Sequence, residues 1–572
     1  MTTFASSTRP SQPHNPQFAD RIEMQNKLFF ELSRMFGQEV PLYDKSLLVN
    51  RICNRATCDL LGQMHVGFTI SDDQLDKTSG ERHGAIRIGR PDEYRWMGRF
   101  FGMFGMEPHN FYDMTNVGTK SQPIIATAFR SRKNPEHRVF TSLLMPDYYA
   151  DATRARMEKT LAQRQVFSDR AKQLIEKGEK QGGLDWADAN DLIREGTERI
   201  FKWTGKARDY QLYKDLCDEG FKIAADIVCF ERHHLNHLTP NTFCMDLYTA
   251  AMKFCLGEID VAMFTLRATR ALTRMLSFGD RDYMHLTFKH LPYATIDAFK
   301  HATPAADAVT KLVERLVKRL QEPDAQLKNY KHSGFKDFTE GPSEDTPILL
   351  RQDAYKALTE PVAFTNPDGS VTNSTHTARF GEIEQRFYAC TPKGRALYDT
   401  CLAEADAARE KDPKIVTRDF AAYEALYAKP FASFAKTLPA LLEQGMVYAK
   451  YSPTAKGIAN AGKINNTDIH ALVRDGYASY EGMRYEDFLP VSAAGIFASN
   501  LNQYGTKSTA AVKPTYSQKQ LEDILGLKII DASAQYAEVY ATHLLDTYSK
   551  LGLISKLDSK TRGELEAAAK FT

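Results

Sequence analysis

The sequence has almost no excess of charge of either sign. Its 74 Lys and Arg residues are balanced by 72 Asp and Glu residues, which gives a formal net charge of +2. A chain balanced in this way produces no overall electric field that would attract it to a polyanion. We therefore expect neither nucleic acid nor a membrane surface among its partners.

Two further patterns are missing from the sequence. The 8 cysteines include no Cys-x-x-Cys pair, so we expect free thiols in a reducing compartment. The most apolar long region, 243–266, is interrupted by four charged residues, so no segment is expected to span a bilayer. These absences favour a cytoplasmic protein, with a mitochondrial or plastid location as the alternative.

The 572 residues are enough for two to four average domains or for one large domain. Residues 2–19 contain one arginine, no acidic residue and no basic amphipathic pattern, which predicts a disordered tail at 1–19 rather than a transit peptide. Helical patterns predict a C-terminal helical extension at 506–572. The main domain would then cover 20–505.

Hydrophobic periodicity predicts a mixed α+β fold. The pattern indicates a short strand at 83–88, then a helix at 92–105 and two further strands at 121–129 and 137–146. Residues 148–182 read as one long charged helix. A strand–helix–strand–strand module is therefore expected in the first third of the chain.

A histidine-rich stretch lies at 231–242, with the sequence Glu-Arg-His-His-Leu-Asn-His-Leu-Thr-Pro-Asn-Thr. The preceding residues 223–230 are apolar, with Asp226 as the only charge, and predict a buried strand that leads into the histidines. Because neutral imidazole is the commonest side-chain ligand for transition metals, this stretch is a candidate metal site. A solvated polar loop is the alternative. His234 follows His233, so the glutamate of a His-Glu-x-x-His zinc hydrolase is missing.

A second candidate lies in the glycine-bounded strand at 83–88. A strand alternates its faces, so His83, Ala85 and Arg87 share one face. The small Ala85 would leave room for a ligand between the imidazole and the guanidinium, whose planar fork suits a carboxylate. The alternative is a surface strand with unrelated polar side chains.

A third candidate segment, at 377–387, contains two closely spaced carboxylates. As a strand it places Glu382, Glu384 and Arg386 on one face. Such a face either lines a polar cavity or contacts water.

Five motifs, taken together, resemble those of the 2-oxoadipate dioxygenase/decarboxylase family over roughly residues 20–505. The family belongs to the vicinal-oxygen-chelate superfamily. The resemblance implies an α+β fold in which a vicinal-oxygen-chelate-like sheet surrounds a metal site and carries many added helices. The motifs, in chain order, are Arg-His-Gly-Ala-Ile-Arg-Ile-Gly, Asn-His-Leu-Thr-Pro, Arg-Phe-Gly-Glu-Ile-Glu-Gln-Arg, Thr-Pro-Lys-Gly-Arg-Ala-Leu-Tyr-Asp and Phe-Leu-Pro-Val-Ser-Ala-Ala-Gly-Ile-Phe.

The resemblance also implies a set of metal ligands. His83, His237 and Glu382 match the residues that hold Fe(2+), with Glu384 as the rival of Glu382. His233 and His234 are expected near the ligands or on the surface.

A substrate-binding set follows from the same resemblance. Arg87 matches the arginine that binds and positions the substrate, and Val491 and Ser492 match a segment that contacts it. The implied partners are a 2-oxo dicarboxylic acid and O₂.

The activity implied is the conversion of 2-oxoadipate and O₂ to 2-hydroxyglutarate and CO₂, in lysine catabolism. A zinc- or nickel-dependent lyase or isomerase of the same fold, acting on a small keto acid, is the alternative. A scaffold that has lost its metal is a non-enzymatic alternative.

Overall fold

The computed structural model describes residues 18–64, 70–79, 81–117, 121–277, 282, 286–287, 305–330, 341–379, 381–412, 414–489 and 507–570. Helices and strands are interspersed along these residues, which confirms the expected mixed α+β class. No helix in this part of the chain has the length and apolar character needed to cross a membrane. The helices are α1 (Arg21–Glu39), α2 (Pro41–Met64), α3 (Asp72–Ser79), α4 (Pro91–Met103), α5 (Asp151–Ala162), α6 (Asp169–Gln181), α7 (Trp186–Glu195), α8 (Tyr210–Asp218), α9 (Lys222–Cys229), α10 (Met245–Cys255), α11 (Val261–Ser277), α12 (Ala308–Leu320), α13 (Pro392–Lys411), α14 (Ile415–Arg418), α15 (Phe420–Ala428), α16 (Leu438–Glu443), α17 (Ala455–Ala459), α18 (Ile469–Arg474), α19 (Gln518–Leu525), α20 (Ala532–Lys550) and α21 (Ser559–Ala568).

The largest sheet contains five strands in the order β2-β3-β4-β1-β6. Strand β1 runs parallel to β4 and antiparallel to β6, so it has a neighbour on each side. A side chain on β1 is therefore held by a rigid part of the sheet. The strands are β1 (Glu81–Ile88), β2 (Glu107–Asp113), β3 (Ile124–Arg130), β4 (Arg138–Leu144), β5 (Lys206–Arg208), β6 (His237–Pro240), β7 (Leu350–Ala354), β8 (Thr359–Thr365), β9 (Val371–Thr377), β10 (Glu382–Arg386), β11 (Ala449–Pro453) and β12 (Ala478–Gly482).

A two-stranded sheet of β7 and β10 lies beside β6. The two strands are antiparallel, with Glu384 opposite Gln352. A parallel bridge joins Asn241, the residue after β6, to Glu384. This bridge brings β10 next to the large sheet that contains β1.

Strand β10 also joins the two hydrophobic clusters of the molecule. Ile383 belongs to the cluster around the five-stranded sheet, whereas Phe387 belongs to a cluster built largely from residues after 390. Both side chains are fully buried. Packing at both ends restrains β10, so its carboxylates have little freedom to move.

The strand expected at 223–230 is wrong, because the structure has helix α9 (Lys222–Cys229) there. Residues 223–229 of this helix are all buried. A buried run of eight residues is too short to distinguish a helix from a strand by the spacing of its apolar residues.

The single helix expected at 148–182 is divided into α5 (Asp151–Ala162) and α6 (Asp169–Gln181). Ser168 caps the second helix by accepting a hydrogen bond from the Ala171 amide. The connection between the helices carries Arg164, which is buried against Glu93. A tertiary ion pair therefore interrupts a helical pattern that the local sequence could have continued.

The first module contains one more strand than predicted. The order is β1, α4, β2, β3 and β4, and the prediction missed β2 (Glu107–Asp113). Asn110 in this strand has a φ of 58°, and its register with β3 shifts between His109 and Tyr112. A bulge of this kind removes the strict alternation by which a strand is recognised.

The C-terminal part of the chain covers the outer edge of β2. The Asn110 amide donates to the Ile530 carbonyl (2.8 Å), and the Ile530 amide donates to the Pro108 carbonyl (2.9 Å). An open strand edge is prone to pair with other chains, so this contact protects the sheet. Helix α20 begins immediately afterwards.

All 8 cysteines are free, in agreement with the sequence. Seven of them are buried, and Cys217 is half-buried. Buried thiols of this kind act as small apolar side chains in the core.

Gly394→Ala is expected to reduce the free energy of unfolding by about 1–3 kcal/mol. Gly394 lies in the first turn of α13, and a Cβ added there would lie 2.0 Å from the Met446 carbonyl oxygen. The backbone at either Gly394 or Met446 must therefore move to make room for the added methyl group. Urea unfolding followed by circular dichroism measures the change.

Gly563→Ala provides the matched control. Gly563 lies inside α21, and an added Cβ has no neighbour within 4 Å. Alanine is favoured over glycine in a helix by about 0.5–1 kcal/mol, so this variant should be slightly stabilised. Equal effects of the two substitutions would contradict the steric explanation.

Candidate metal and substrate site

The structure brings His83 on β1 together with the two glutamates of β10. His83 Nε2 lies 3.0 Å from Glu382 Oε2, and His83 Nδ1 lies 3.3 Å from Glu384 Oε1. Alternation along β10 turns both carboxylates toward the same imidazole. The acidic face of this strand therefore lines a buried site and does not contact water.

Burial and charge set the protonation of this group. Burial disfavours the imidazolium form, but the carboxylates of Glu384 and Glu382 outweigh it and raise the pKa of His83. Burial also disfavours the Glu384 carboxylate, but the positive charge of Arg386 outweighs it and holds the pKa of Glu384 well below its usual value. Arg386 Nε donates to Glu384 Oε1 at 2.6 Å. Glu384 is thus kept as an anion by its own strand neighbour.

The donor atoms present fit a metal ion. In the neutral tautomer that carries its proton on Nδ1, the nitrogen nearer Glu384, His83 Nε2 and Glu382 Oε2 are both acceptors and face each other at 3.0 Å. Two acceptors that close need a proton or a cation between them. Neighbouring ligands at about 2.1 Å from an octahedral metal also lie about 3.0 Å apart. An imidazole oriented by a carboxylate on its other nitrogen is the usual arrangement of a metal-binding histidine.

The third predicted ligand, His237, is described only through its backbone. It begins β6 and pairs with Ala85, the residue midway between His83 and Arg87 on β1. The ligand prediction for its side chain lies outside what is described. Among the side chains that are described, no three His, Cys, Asp or Glu residues are arranged around a common metal position.

The structure places Arg87 in a different cluster from His83. Arg87 NH1 lies 2.6 Å from Asp226 Oδ2, and both side chains are buried. His376 Nε2 lies 2.8 Å from the other carboxylate oxygen, Asp226 Oδ1, and His234 Nε2 lies 3.1 Å from it. Burial disfavours the Asp226 carboxylate, but the charges of His234 and Arg87 outweigh it and hold the pKa of Asp226 well below its usual value. Arg87 is therefore held by a buried anion on α9.

The sequence contains one signal for this cluster. Asp226 is the only charge in an apolar run, and a buried carboxylate needs partners. His376 lies on β9, in a separate sheet, and nothing in its neighbourhood along the chain indicates a role. The link between them depends on tertiary contacts.

The other two histidines of the rich stretch are both buried, so the solvated loop is not what the structure has. His233 Nε2 lies 3.1 Å from Glu93 Oε2. Arg164 donates to both oxygens of Glu93, at 3.0 and 2.7 Å. Arg164 NH1 also donates to the Ile227 carbonyl near the end of α9. These contacts fix the chain as it approaches β6.

An aromatic side chain covers the imidazole of His83. The rings of Phe488 and His83 lie 5.1 Å apart and nearly perpendicular, at 84°. Phe488 follows Asp487, whose carbonyl accepts from Arg386 NH1 at 2.7 Å. The predicted substrate-contacting residues Val491 and Ser492 lie outside the described residues.

Comparison with known proteins agrees with the five motifs. A model of the 2-oxoadipate dioxygenase/decarboxylase family matches residues 28–255 and 281–500. A protein of that name from Pseudomonas putida is 33% identical over 518 residues, which cover 89% of this chain and 92% of the relative. One from Escherichia coli is 31% identical over 526 residues, which cover 90% of this chain and 96% of the relative.

A solved structure gives the same result. The crystal structure of the hydroxyglutarate synthase from Pseudomonas putida in complex with 2-oxoadipate has a TM-score of 0.62 and 30% identity to this chain. The match covers 94% of this chain and 100% of that one. The family indicated by the motifs is thus confirmed, and the chain belongs to the 2-oxoadipate dioxygenase/decarboxylase family.

Proposed function

We propose that this chain is an Fe(2+)-dependent dioxygenase that converts 2-oxoadipate and O₂ to 2-hydroxyglutarate and CO₂. The observation that carries the proposal is the buried pair of His83 and Glu382, which faces a common position within a chain of this family. Two imidazoles and one carboxylate are the ligand set of non-haem Fe(II) oxygenases. We assign that set to His83, His237 and Glu382.

The protein's contribution would be to orient these ligands and to exclude water. Glu384 Oε1 lies 3.3 Å from His83 Nδ1 and would favour the tautomer that carries its proton there, which leaves the Nε2 lone pair for the metal. Phe488 packs edge to face against the imidazole ring of His83. When bound, the Fe(2+) ion supplies the oxygen-activating chemistry of the reaction.

We assign Arg87, whose NH1 already contacts Asp226, to a carboxylate of the substrate, with Val491 and Ser492 as further contacts. A dicarboxylate that leaves water needs cationic partners, and a guanidinium fork matches a carboxylate. The reaction needs no external reductant, because all atoms of 2-oxoadipate and O₂ appear in 2-hydroxyglutarate and CO₂. We also assign the vicinal-oxygen-chelate architecture and a role in lysine catabolism to the chain.

Anaerobically iron-loaded protein given 2-oxoadipate should consume O₂ and release 2-hydroxyglutarate and CO₂ in equal amounts. An oxygen electrode and chromatography of the products measure this ratio. Zinc-loaded protein is the control and should consume no O₂.

Turnover of a keto acid by the zinc- or nickel-loaded protein without O₂ would instead identify a lyase or isomerase. Protein that retains no metal and is unaffected by loss of His83 would identify a scaffold.

A further inference from the structure

A short segment, Tyr485 to Phe488, contacts the candidate metal site and also borders a cavity. The ring of Phe488 packs against His83 and against Phe140 of β4, at 5.1 and 5.3 Å between ring centres. Tyr485, Asp487 and Phe488 help to line the cavity, which has a volume of about 330 Å³. The position of this segment therefore decides how closely the aromatic ring covers the imidazole.

Three buried arginines hold the segment from the sheet side, and one of them, Arg138 of β4, lies 3.0 Å from Glu486 Oε2. Arg130 of β3 makes a bidentate contact with Asp487, at 2.9 and 3.1 Å. Arg386 of β10 donates to the carbonyls of Tyr485 (3.3 Å) and Asp487 (2.7 Å). Burial disfavours the Asp487 carboxylate, but Arg130 outweighs it and lowers the pKa of Asp487 to about 2. Asp487 is therefore a fixed anion.

A further contact comes from helix α20, beyond the residues that the family model matches. Tyr536 Oη donates to Asp487 Oδ2 at 2.6 Å and accepts from the Glu486 amide at 2.8 Å. One hydroxyl thus satisfies both a side chain and a main-chain group of the segment. Burial, together with Asp487, raises the pKa of Tyr536, so the hydroxyl keeps its proton.

We propose that Tyr536 is a positioning residue that holds the Tyr485–Phe488 segment against His83. The proposal rests on the proposed function in taking His83 as a metal ligand and 2-oxoadipate as the substrate. Through this contact the C-terminal helices would act on the site without touching the metal or the substrate. Loss of the hydroxyl leaves a buried amide of Glu486 without its acceptor, which a packed segment accommodates by moving.

The test compares Tyr536→Phe with Tyr540→Phe in the full-length protein. Tyr540 lies one turn later on α20 and contacts Tyr448 and Tyr451 through its ring, at 5.7 and 6.1 Å. We expect Tyr536→Phe to speed hydrogen exchange of the peptide that contains Glu486 about tenfold. We also expect the KM for 2-oxoadipate to rise about tenfold, with a smaller change in kcat and unchanged iron content. Tyr540→Phe should change neither quantity.

Unchanged exchange in Tyr536→Phe would overturn the proposal, and so would faster exchange with an unchanged KM, because Tyr536 would then be only structural. Asp487→Asn removes the other half of the contact, and its effect on exchange should not add to that of Tyr536→Phe. Additive effects would count against the proposal. If the wild type does not turn over 2-oxoadipate, the proposed function fails, whereas exchange still decides whether Tyr536 holds the segment.

Discussion

Glu382→Ala is expected to abolish iron binding and oxygen uptake while the protein stays folded. Glu382 is one of the two described side chains that face the assigned metal position, and its Oε2 lies 3.0 Å from His83 Nε2. Loss of a partner outside the ligand shell typically costs 10–100-fold in metal affinity, so loss of a ligand should cost more than about 100-fold. Isothermal titration with Fe(2+) under anaerobic conditions, with circular dichroism for the fold, measures both parts.

Glu384→Gln is the matched control on the same strand. Its side chain faces His83 Nδ1, at 3.3 Å, and is engaged by Arg386. Glutamine keeps the size and one acceptor but loses the charge, so we expect iron affinity about 10–100-fold weaker and residual activity. A larger loss of iron affinity in Glu384→Gln than in Glu382→Ala would identify Glu384 as the ligand and Glu382 as the residue that supports it. The experiment therefore decides between the two carboxylates that the sequence alone left open.

The parts of the site that the sequence predicted depend on strand alternation. For β10 the period of two correctly placed Glu382 and Glu384 together, because both carboxylates contact His83. For β1 it placed His83 and Arg87 on one face, but their side chains belong to different clusters. Alternation is a local property and survives in any sheet. The contact between His83 and Glu382 joins residues 299 positions apart. The contact arises from the order of strands in the fold, and no local sequence pattern encodes that order.

The parts that could not be predicted are those in which tertiary contacts replace a local signal. Helix α9 is short and its residues 223–229 are all buried, so its sequence cannot be distinguished from that of a buried strand. The cluster around Asp226 of α9 includes Arg87 of β1, His376 of β9 and His234 from the loop before β6. Tyr536 contacts Asp487 from helix α20, which lies beyond residues 28–255 and 281–500 that the family model matches. In each case the partner is far along the chain.

Asp226→Ala is expected to reduce the free energy of unfolding by about 3–5 kcal/mol, the usual cost of removing one partner of a buried ion pair. Its carboxylate contacts Arg87 at 2.6 Å and His376 at 2.8 Å, with both Asp226 and Arg87 almost fully buried. Without the anion, the Arg87 charge stays in a site of low polarity. Urea unfolding of the metal-free protein measures the change, so the result does not depend on the proposed chemistry.

Asp215→Ala is the control for loss of an acidic side chain, because Asp215 forms an exposed pair with Arg156 at 2.8 Å. Such a pair contributes about 0–1 kcal/mol. A double-mutant cycle then isolates the buried contact, since Arg87→Met removes the cation that Asp226 holds. The loss of unfolding free energy in the double variant should be smaller than the sum of the losses in the two single variants, by about 1 kcal/mol or more. Simple additivity would show that Asp226 stabilises the fold through its histidines and not through Arg87, and the orientation of Arg87 would then need another cause.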